Sequence, residues 1–121
     1  MTRLSITAIA SAVSSGRRSA ESVVAEALDA IAAYDDVQAH AWIMRPDPQA
    51  VLAQARAVDA RIAAGEHLPL AGVPFAVKDN IDVAGLPTTA ACPAYAYEPE
   101  QTATVVARLL AAGAILMGKT N

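Results

Sequence analysis

Lys78 is the residue whose type and position in this sequence best suit chemistry. It ends the stretch AGVPFAVK, residues 71 to 78, whose other members are all apolar or small. Such a run is typical of a buried strand, and ligand sites of α/β sheets lie beyond the carboxyl ends of the strands. An amine held out of water there favours its uncharged form, which can accept a proton from a nucleophile. Lysines are mostly exposed, however, and the spacing alone does not decide between a catalytic base and a solvated side chain.

Asp79 bears on this hypothesis because it follows Lys78 directly. A carboxylate close to the amine would stabilise the charged ammonium and oppose proton transfer to the lysine. Successive side chains of a strand point to opposite faces of the sheet, so a continuing strand would send Asp79 away from Lys78. The geometry of these two side chains therefore decides whether the lysine is available as a base.

The segment GAILMGKT, residues 113 to 120, matches the G-x-x-x-x-G-K-[ST] pattern of a phosphate-binding loop. That loop needs a strand before its first glycine, flexible residues between the glycines, and a helix after the lysine. Here a helical pattern precedes Gly113, the residues Ala-Ile-Leu-Met favour a strand, and the sequence ends where the helix would begin. The context argues against a P-loop-like nucleotide binder. It is kept as an alternative from another functional class, beside an alanine-rich helical interaction module.

The remaining reactive side chains give no second candidate site. Cys92 is the only cysteine, which excludes an intramolecular disulfide within this sequence. We expect it to be a buried or half-buried thiol rather than a nucleophile. His40 and His67 lack the spacing of metal ligands. The sequence therefore predicts neither a metal nor a cofactor.

Composition and charge point to a small-molecule partner. The net charge of −3 and the pI near 5.2 provide no basic surface for nucleic acid. The longest strongly apolar run, between Arg108 and Lys119, is shorter than the roughly 20 residues of a membrane span. Serines and threonines interrupt the apolar residues of the N-terminus, which is untypical of a signal peptide. We therefore expect a cytoplasmic protein that binds neither nucleic acid nor a membrane.

The hydrophobic periodicity predicts helices that alternate with strands, and hence an α/β fold with a mixed or parallel sheet covered by helices. The strand before Lys78 is expected to be interior, because both of its faces are apolar. Three strands leave sheet edges uncovered, so we expect these residues to be an incomplete part of a larger domain. The predicted helices begin after Ser5, begin after Ser19 and end at about Asp35, run from Pro48 to Gly65, and run from Thr102 to Gly113. The predicted strands are 39–44, 71–80 and 114–118. A long ordered loop is expected at 79–101, with a hairpin near DVAGLP.

Two long segments, VPFAVKDNIDVAGLPTT (73–89) and RLLAAGAILMGKTN (108–121), closely resemble the core of the amidase signature family. The helical first 65 residues are also similar to the N-terminal part of that family. The resemblance therefore covers essentially the whole sequence. It implies that residues 1–121 are the N-terminal part of an amidase-signature domain, with a helical lead-in at 1–36 and the start of the α/β core at 37–121. Within the family, HAWI (40–43) and TTAACPAYAY (88–97) look most like the allophanate hydrolases.

The resemblance implies amide-bond hydrolysis by a Ser-cisSer-Lys triad in which Lys78 is the lysine. In that chemistry the uncharged amine accepts a proton, through a bridging serine, from a second serine that attacks the amide carbonyl. Nothing within residues 1–121 matches the family's glycine- and serine-rich segment with both serines, which follows GKTN in that family. These residues therefore carry only the lysine, and we expect the fragment alone to be inactive.

The same resemblance implies the substrate class and partners. Allophanate hydrolysis, which yields ammonia and carbon dioxide in urea degradation, is the first expectation. A general amidase, or the amidase subunit of a tRNA-dependent amidotransferase, is the alternative within the family. A small-molecule amide is the expected substrate, no cofactor is implied, and a homodimer of the full-length enzyme is compatible with the family.

Overall fold

The computed structural model of the protein describes residues 4–121, which form four helices and a three-stranded sheet in the predicted order. A single 3₁₀ turn at Pro93–Tyr95 lies in the loop between the second strand and the fourth helix. The loop also contains the expected hairpin, with Val83 bridged to Leu86. The elements are α1 (Ile6–Ser14), α2 (Ala20–Tyr34), β1 (Trp42–Met44), α3 (Pro48–Ala63), β2 (Pro74–Lys78), α4 (Thr104–Ala111) and β3 (Ile115–Thr120).

The first three helices begin at the capping residues that the sequence indicates. Ser5 Oγ accepts a hydrogen bond from the Ala8 amide at 3.1 Å, and Ser19 Oγ accepts one from the Ser22 amide at 3.0 Å. Asp47 Oδ1 accepts from the Gln49 amide at 3.0 Å, and the following proline occupies the first turn of α3. Each cap satisfies an amide that has no partner inside its helix, typically contributing about 1 kcal/mol.

A further cap comes from a distant part of the chain. Asp59, on α3, accepts hydrogen bonds from the amides of Ala20 at 2.7 Å and Glu21 at 3.2 Å, at the start of α2. A carboxylate at a helix N-terminus is favoured because it meets unpaired amides and the positive end of the helix dipole. These two hydrogen bonds tie the start of α2 to α3.

The sheet is mixed, with strand order β1-β3-β2. β3 runs parallel to β2 and antiparallel to β1. The expectation that β2 is an interior strand is therefore wrong for this sheet: β2 lies at its edge and β3 at its centre. The apolar residues of β3 are buried without exception, whereas Ala76 of β2 is exposed. An unbroken apolar run thus did not distinguish the edge strand from the central one.

Alternate residues of β3 supply two apolar clusters, one on each face of the sheet. Ile115 and Met117 pack with the buried faces of α1, α2 and α3. Leu116 packs instead with Val106 of α4 and with Val77 of β2. The sheet is thus covered by helices on both faces, as predicted.

β3 continues through Gly118 and Lys119 to Thr120, two residues beyond the predicted end. Gly113 follows α4 with φ of +97°, a left-handed conformation that favours glycine after a helix. Gly118 lies where a Cβ atom would collide with the carbonyl oxygen of Met44 on β1. The backbone conformation at Gly113 and the close approach of β1 at Gly118 therefore explain both glycines of the phosphate-loop pattern. The residues GKT belong to an extended strand and do not form a phosphate-binding loop.

Among residues 4–121, no helix combines the length and the hydropathy needed to cross a membrane.

Candidate active site

Lys78 is the last residue of β2 and pairs in register with Thr120 of β3. Both residues line a small cavity of about 100 Å³ at the carboxyl ends of these two parallel strands. Asn80, Ala90 and Asn121 contribute to the same cavity. Parallel strands place their carboxyl ends at one edge of the sheet, which is where α/β proteins bind ligands. The position of Lys78 is therefore suited to a binding or catalytic role.

The side chain of Lys78 is exposed in the described part of the chain. From the sequence we expected the Lys78 amine to be removed from water, and the described residues of this chain do not do so. The lysine that the fold removes from water is Lys119, which is fully buried. The catalytic role of Lys78 stays a prediction, and its desolvation belongs to that prediction.

Asp79 lies on the opposite side of the backbone from Lys78, as strand alternation predicts. Its side chain is 2% exposed, and its Oδ1 atom lies 3.7 Å from Nζ of Lys119. Val77, two residues before Asp79, pairs in register with Lys119, which places Asp79 and Lys119 on one face of the sheet. The carboxylate of Asp79 thus faces the other lysine of the sequence.

Two alanines beside Lys78 have an unusual backbone. Ala90 and Ala91, both of which line the cavity, have φ values of +49° and +59°. The left-handed region is unfavourable for residues with a Cβ atom and costs about 1–2 kcal/mol for each residue. Such conformations persist where surrounding contacts fix them, and they concentrate at functional sites.

Thr88 and Tyr97 both form hydrogen bonds to the carboxylate of Asp82, in the loop between β2 and α4. The Tyr97 hydroxyl donates to Asp82 Oδ1 at 2.5 Å, and the buried Thr88 hydroxyl donates to the same oxygen at 2.9 Å. These hydrogen bonds, first that of Tyr97 and then that of Thr88, hold the pKa of Asp82 below its ordinary value of 3.8. The same bond to Asp82 raises the pKa of Tyr97 above its ordinary value of 10.0. Sequence reasoning missed this cluster, because its members are separated by turns.

Replacing Tyr97 by Phe should raise the pKa of Asp82, because the bond that most stabilises its carboxylate is lost. A carboxyl group with a lowered pKa contributes stability above its ordinary pKa of 3.8, and this contribution is lost as the pH falls through the lowered value. Titration of the Asp82 carboxyl carbon by NMR in the full-length protein measures the pKa, and denaturation at several pH values measures the linked stability. The matched control is Tyr95→Phe, in the aromatic neighbour 5.8 Å from Tyr97 between ring centroids. An unchanged Asp82 titration in Tyr97→Phe would contradict the assignment.

Cys92 is exposed, and the expectation of a buried or half-buried thiol is wrong. It lies in the loop between β2 and α4, where residues 90–98 are all exposed, so no apolar cluster reaches it. His40 and His67 are also exposed. In the range 4–121, no group of three or more His, Cys, Asp or Glu side chains is arranged to hold a metal ion.

Comparison with known proteins identifies the family. The sequence model of the family described as Amidase matches residues 22–121. The chain belongs to the amidase family. The family match covers the whole sheet, most of α2, all of α3 and α4, and the loop beside Lys78, so the candidate site lies entirely within the matched residues.

Two curated relatives indicate different substrates within the amidase family. The chain is 48% identical over its whole length to a glutamyl-tRNA(Gln) amidotransferase subunit from Salinispora arenicola, of which it covers 25%. It is 55% identical to a urea amidolyase from Saccharomyces cerevisiae over 68% of the chain, which is 4% of that protein. The chain therefore spans a quarter or less of the length of these relatives.

Solved amidase structures confirm the fold. A peptide amidase from Stenotrophomonas maltophilia matches 99% of the chain with a TM-score of 0.86 and 29% identity, over 25% of its own length. A variant of the allophanate hydrolase from Kluyveromyces lactis matches 67% of the chain with 46% identity and a TM-score of 0.56, over 13% of its own length. The α/β arrangement described above is thus a part of the larger amidase fold.

Proposed function

We propose that the full-length protein hydrolyses a carbon–nitrogen amide bond and that Lys78 is its proton acceptor. The observation that carries the proposal is the position of Lys78 at the carboxyl end of β2, where it lines a cavity. Asp79 lines the same cavity, but its carboxylate faces Lys119 at 3.7 Å. Membership of the amidase family supplies the reaction class. The uncharged state of the amine, on which this role depends, is part of the proposal.

The proposed reaction uses the serine relay that the family resemblance implies. The attacking serine forms a bond to the amide carbon while its proton passes through the bridging serine to the amine of Lys78. The carbonyl electrons move to oxygen, and the tetrahedral intermediate collapses as the carbon–nitrogen bond breaks. The departing nitrogen takes the proton back through the same relay. Water then cleaves the acyl-serine ester, which restores the serine and releases the acid.

We propose allophanate as the substrate. The HAWI and TTAACPAYAY segments support this choice, as does the similarity to the urea amidolyase and to the allophanate hydrolase. The products would be ammonia and a dicarboxylated amine that decomposes to carbon dioxide and a second ammonia. The second candidate is the amidase component of a glutamyl-tRNA(Gln) amidotransferase, which the 48% identity over the whole chain favours.

A substrate panel tests the proposal on the purified full-length protein. Ammonia release is measured with allophanate and with a C-terminal peptide amide, and formation of glutaminyl-tRNA(Gln) is measured with glutamyl-tRNA(Gln) and an amide donor. We expect kcat/KM for allophanate to exceed that for the peptide amide by at least about 10²-fold, because groups that pair with the allophanate carboxylate are left unpaired by an uncharged amide. The Lys78→Met variant is the blank for each substrate. Lys78-dependent turnover only of glutamyl-tRNA(Gln), or only of the peptide amide, would replace allophanate by that substrate.

A further inference from the structure

We infer that Asp79, Thr89 and Lys119, named here the Lys119 clasp, hold Lys78 and the segment after it in the geometry that the reaction needs. The inference rests on the proposed function of Lys78. It assigns to the three residues a positioning role, because Lys119 and Asp79 lie on the face of the sheet opposite to Lys78.

Lys119 is placed where its charge has to be met by fixed protein groups. The residue is 0% exposed on the central strand. Its Nζ atom donates to the carbonyl oxygen of Ile81 at 2.7 Å and approaches that of Pro87 at 3.5 Å. Removing an ammonium from water is costly unless such partners surround it. The ammonium therefore ties both sides of the 81–87 hairpin to β3.

Asp79 is held by four separate contacts. Its amide donates to the carbonyl oxygen of Thr120 at 2.9 Å, and its carbonyl accepts from the Ala90 amide at 3.0 Å. Its carboxylate accepts from the Thr89 hydroxyl and faces Lys119 at 3.7 Å. The backbone immediately after Lys78 is thus fixed to the central strand through its main chain and its side chain together.

The clasp also reaches the left-handed turn of Ala90 and Ala91. Thr89, which donates to Asp79, precedes this turn, and the Ala90 amide bonds to Asp79. A conformation that is unfavourable for alanine needs contacts that determine it. The clasp supplies them, and it therefore shapes the cavity wall that faces Lys78.

A loosened clasp should affect the chemical step more than substrate binding. A displacement of about 1 Å at a catalytic group can lower a rate by about 10²-fold, because the reacting atoms leave their productive geometry. We expect this pattern from Thr89→Val, which keeps the shape of the side chain and removes the hydroxyl that Asp79 accepts from. Thr89→Ser keeps the hydroxyl and is the matched control.

The test uses the full-length protein and two measurements. Thr89→Val should lower kcat for amide hydrolysis by about 10- to 100-fold with KM changed less than about threefold, whereas Thr89→Ser should stay within about threefold of the parent. In parallel, hydrogen exchange at the amides of Asp79 and Ala90 should become at least about tenfold faster in Thr89→Val and not in Thr89→Ser.

Unchanged exchange at both amides in Thr89→Val would overturn the clasp itself. Faster exchange with an unchanged kcat, in an enzyme that Lys78→Met inactivates, would overturn the positioning role. Full activity of Lys78→Met would instead be a failure of the proposed function, and the exchange data alone would then decide whether the clasp orders residues 79–91.

Discussion

Lys78→Met in the full-length protein should lower kcat for amide hydrolysis by about 10⁴-fold. General acid–base catalysis typically contributes about 10²–10⁴-fold, and here the same group also activates the nucleophile. Because the lysine acts on the serine proton, kcat and kcat/KM should fall together. Steady-state ammonia release measures the effect, with an unchanged circular dichroism spectrum as evidence that the variant is folded.

Two further variants separate a base from a binding charge. Lys78→Arg keeps a positive charge that proteins do not deprotonate, so it should be as inactive as Lys78→Met. If Lys78 only attracted an anionic substrate, Lys78→Arg would retain much of the activity and would contradict the proposal. Arg108→Ala, at an exposed position of α4, is the matched control for loss of a cationic side chain and should leave the rate unchanged.

Gly118→Ala should destabilise the protein by about 2–3 kcal/mol, at the upper end of the roughly 1–3 kcal/mol that added methylene groups typically cost in a packed interior. The new Cβ atom would meet the carbonyl oxygen of Met44 and lie 3.2 Å from the ring of Trp42. The carbonyl belongs to the backbone of β1, so the collision is relieved only if β1 moves away from β3. Chemical denaturation of the full-length protein, followed by tryptophan fluorescence, measures the change.

The control for this substitution is Ala76→Val, which adds methyl groups to an exposed position of β2. Surface substitutions of this kind usually change the free energy of unfolding by less than about 0.5 kcal/mol. Equal stabilities of Gly118→Ala and the parent protein would show that the close approach of β1 to β3 is not a constraint on this position.

Local signals predicted the elements well. Ser5, Ser19 and Asp47 each cap a helix through an amide two or three residues away, so sequence spacing alone reveals them. The cap that Asp59 provides to α2 joins residues 39 positions apart. No periodicity within α3 distinguishes that carboxylate from a solvated one, because its partner is determined by the packing of two helices.

The sequence did not reveal which of the two lysines is buried. Lys78 and Lys119 both follow a short run of apolar or small residues in a predicted strand. Only the strand order separates them, because β3 is flanked on both sides and β2 on one side within this sheet. The buried lysine is therefore Lys119, and its ion pair with Asp79 depends on the register of two strands about 40 residues apart in sequence.

The most direct test of the account is chemical rescue of Lys78→Ala in the full-length protein by small primary amines. If the uncharged amine of Lys78 accepts the serine proton, added methylamine or ethylamine should restore ammonia release in proportion to the concentration of the uncharged amine as the pH is varied. A folded Lys78→Ala enzyme that keeps the parent rate, or whose rescue follows the protonated amine instead, would contradict the role assigned to Lys78.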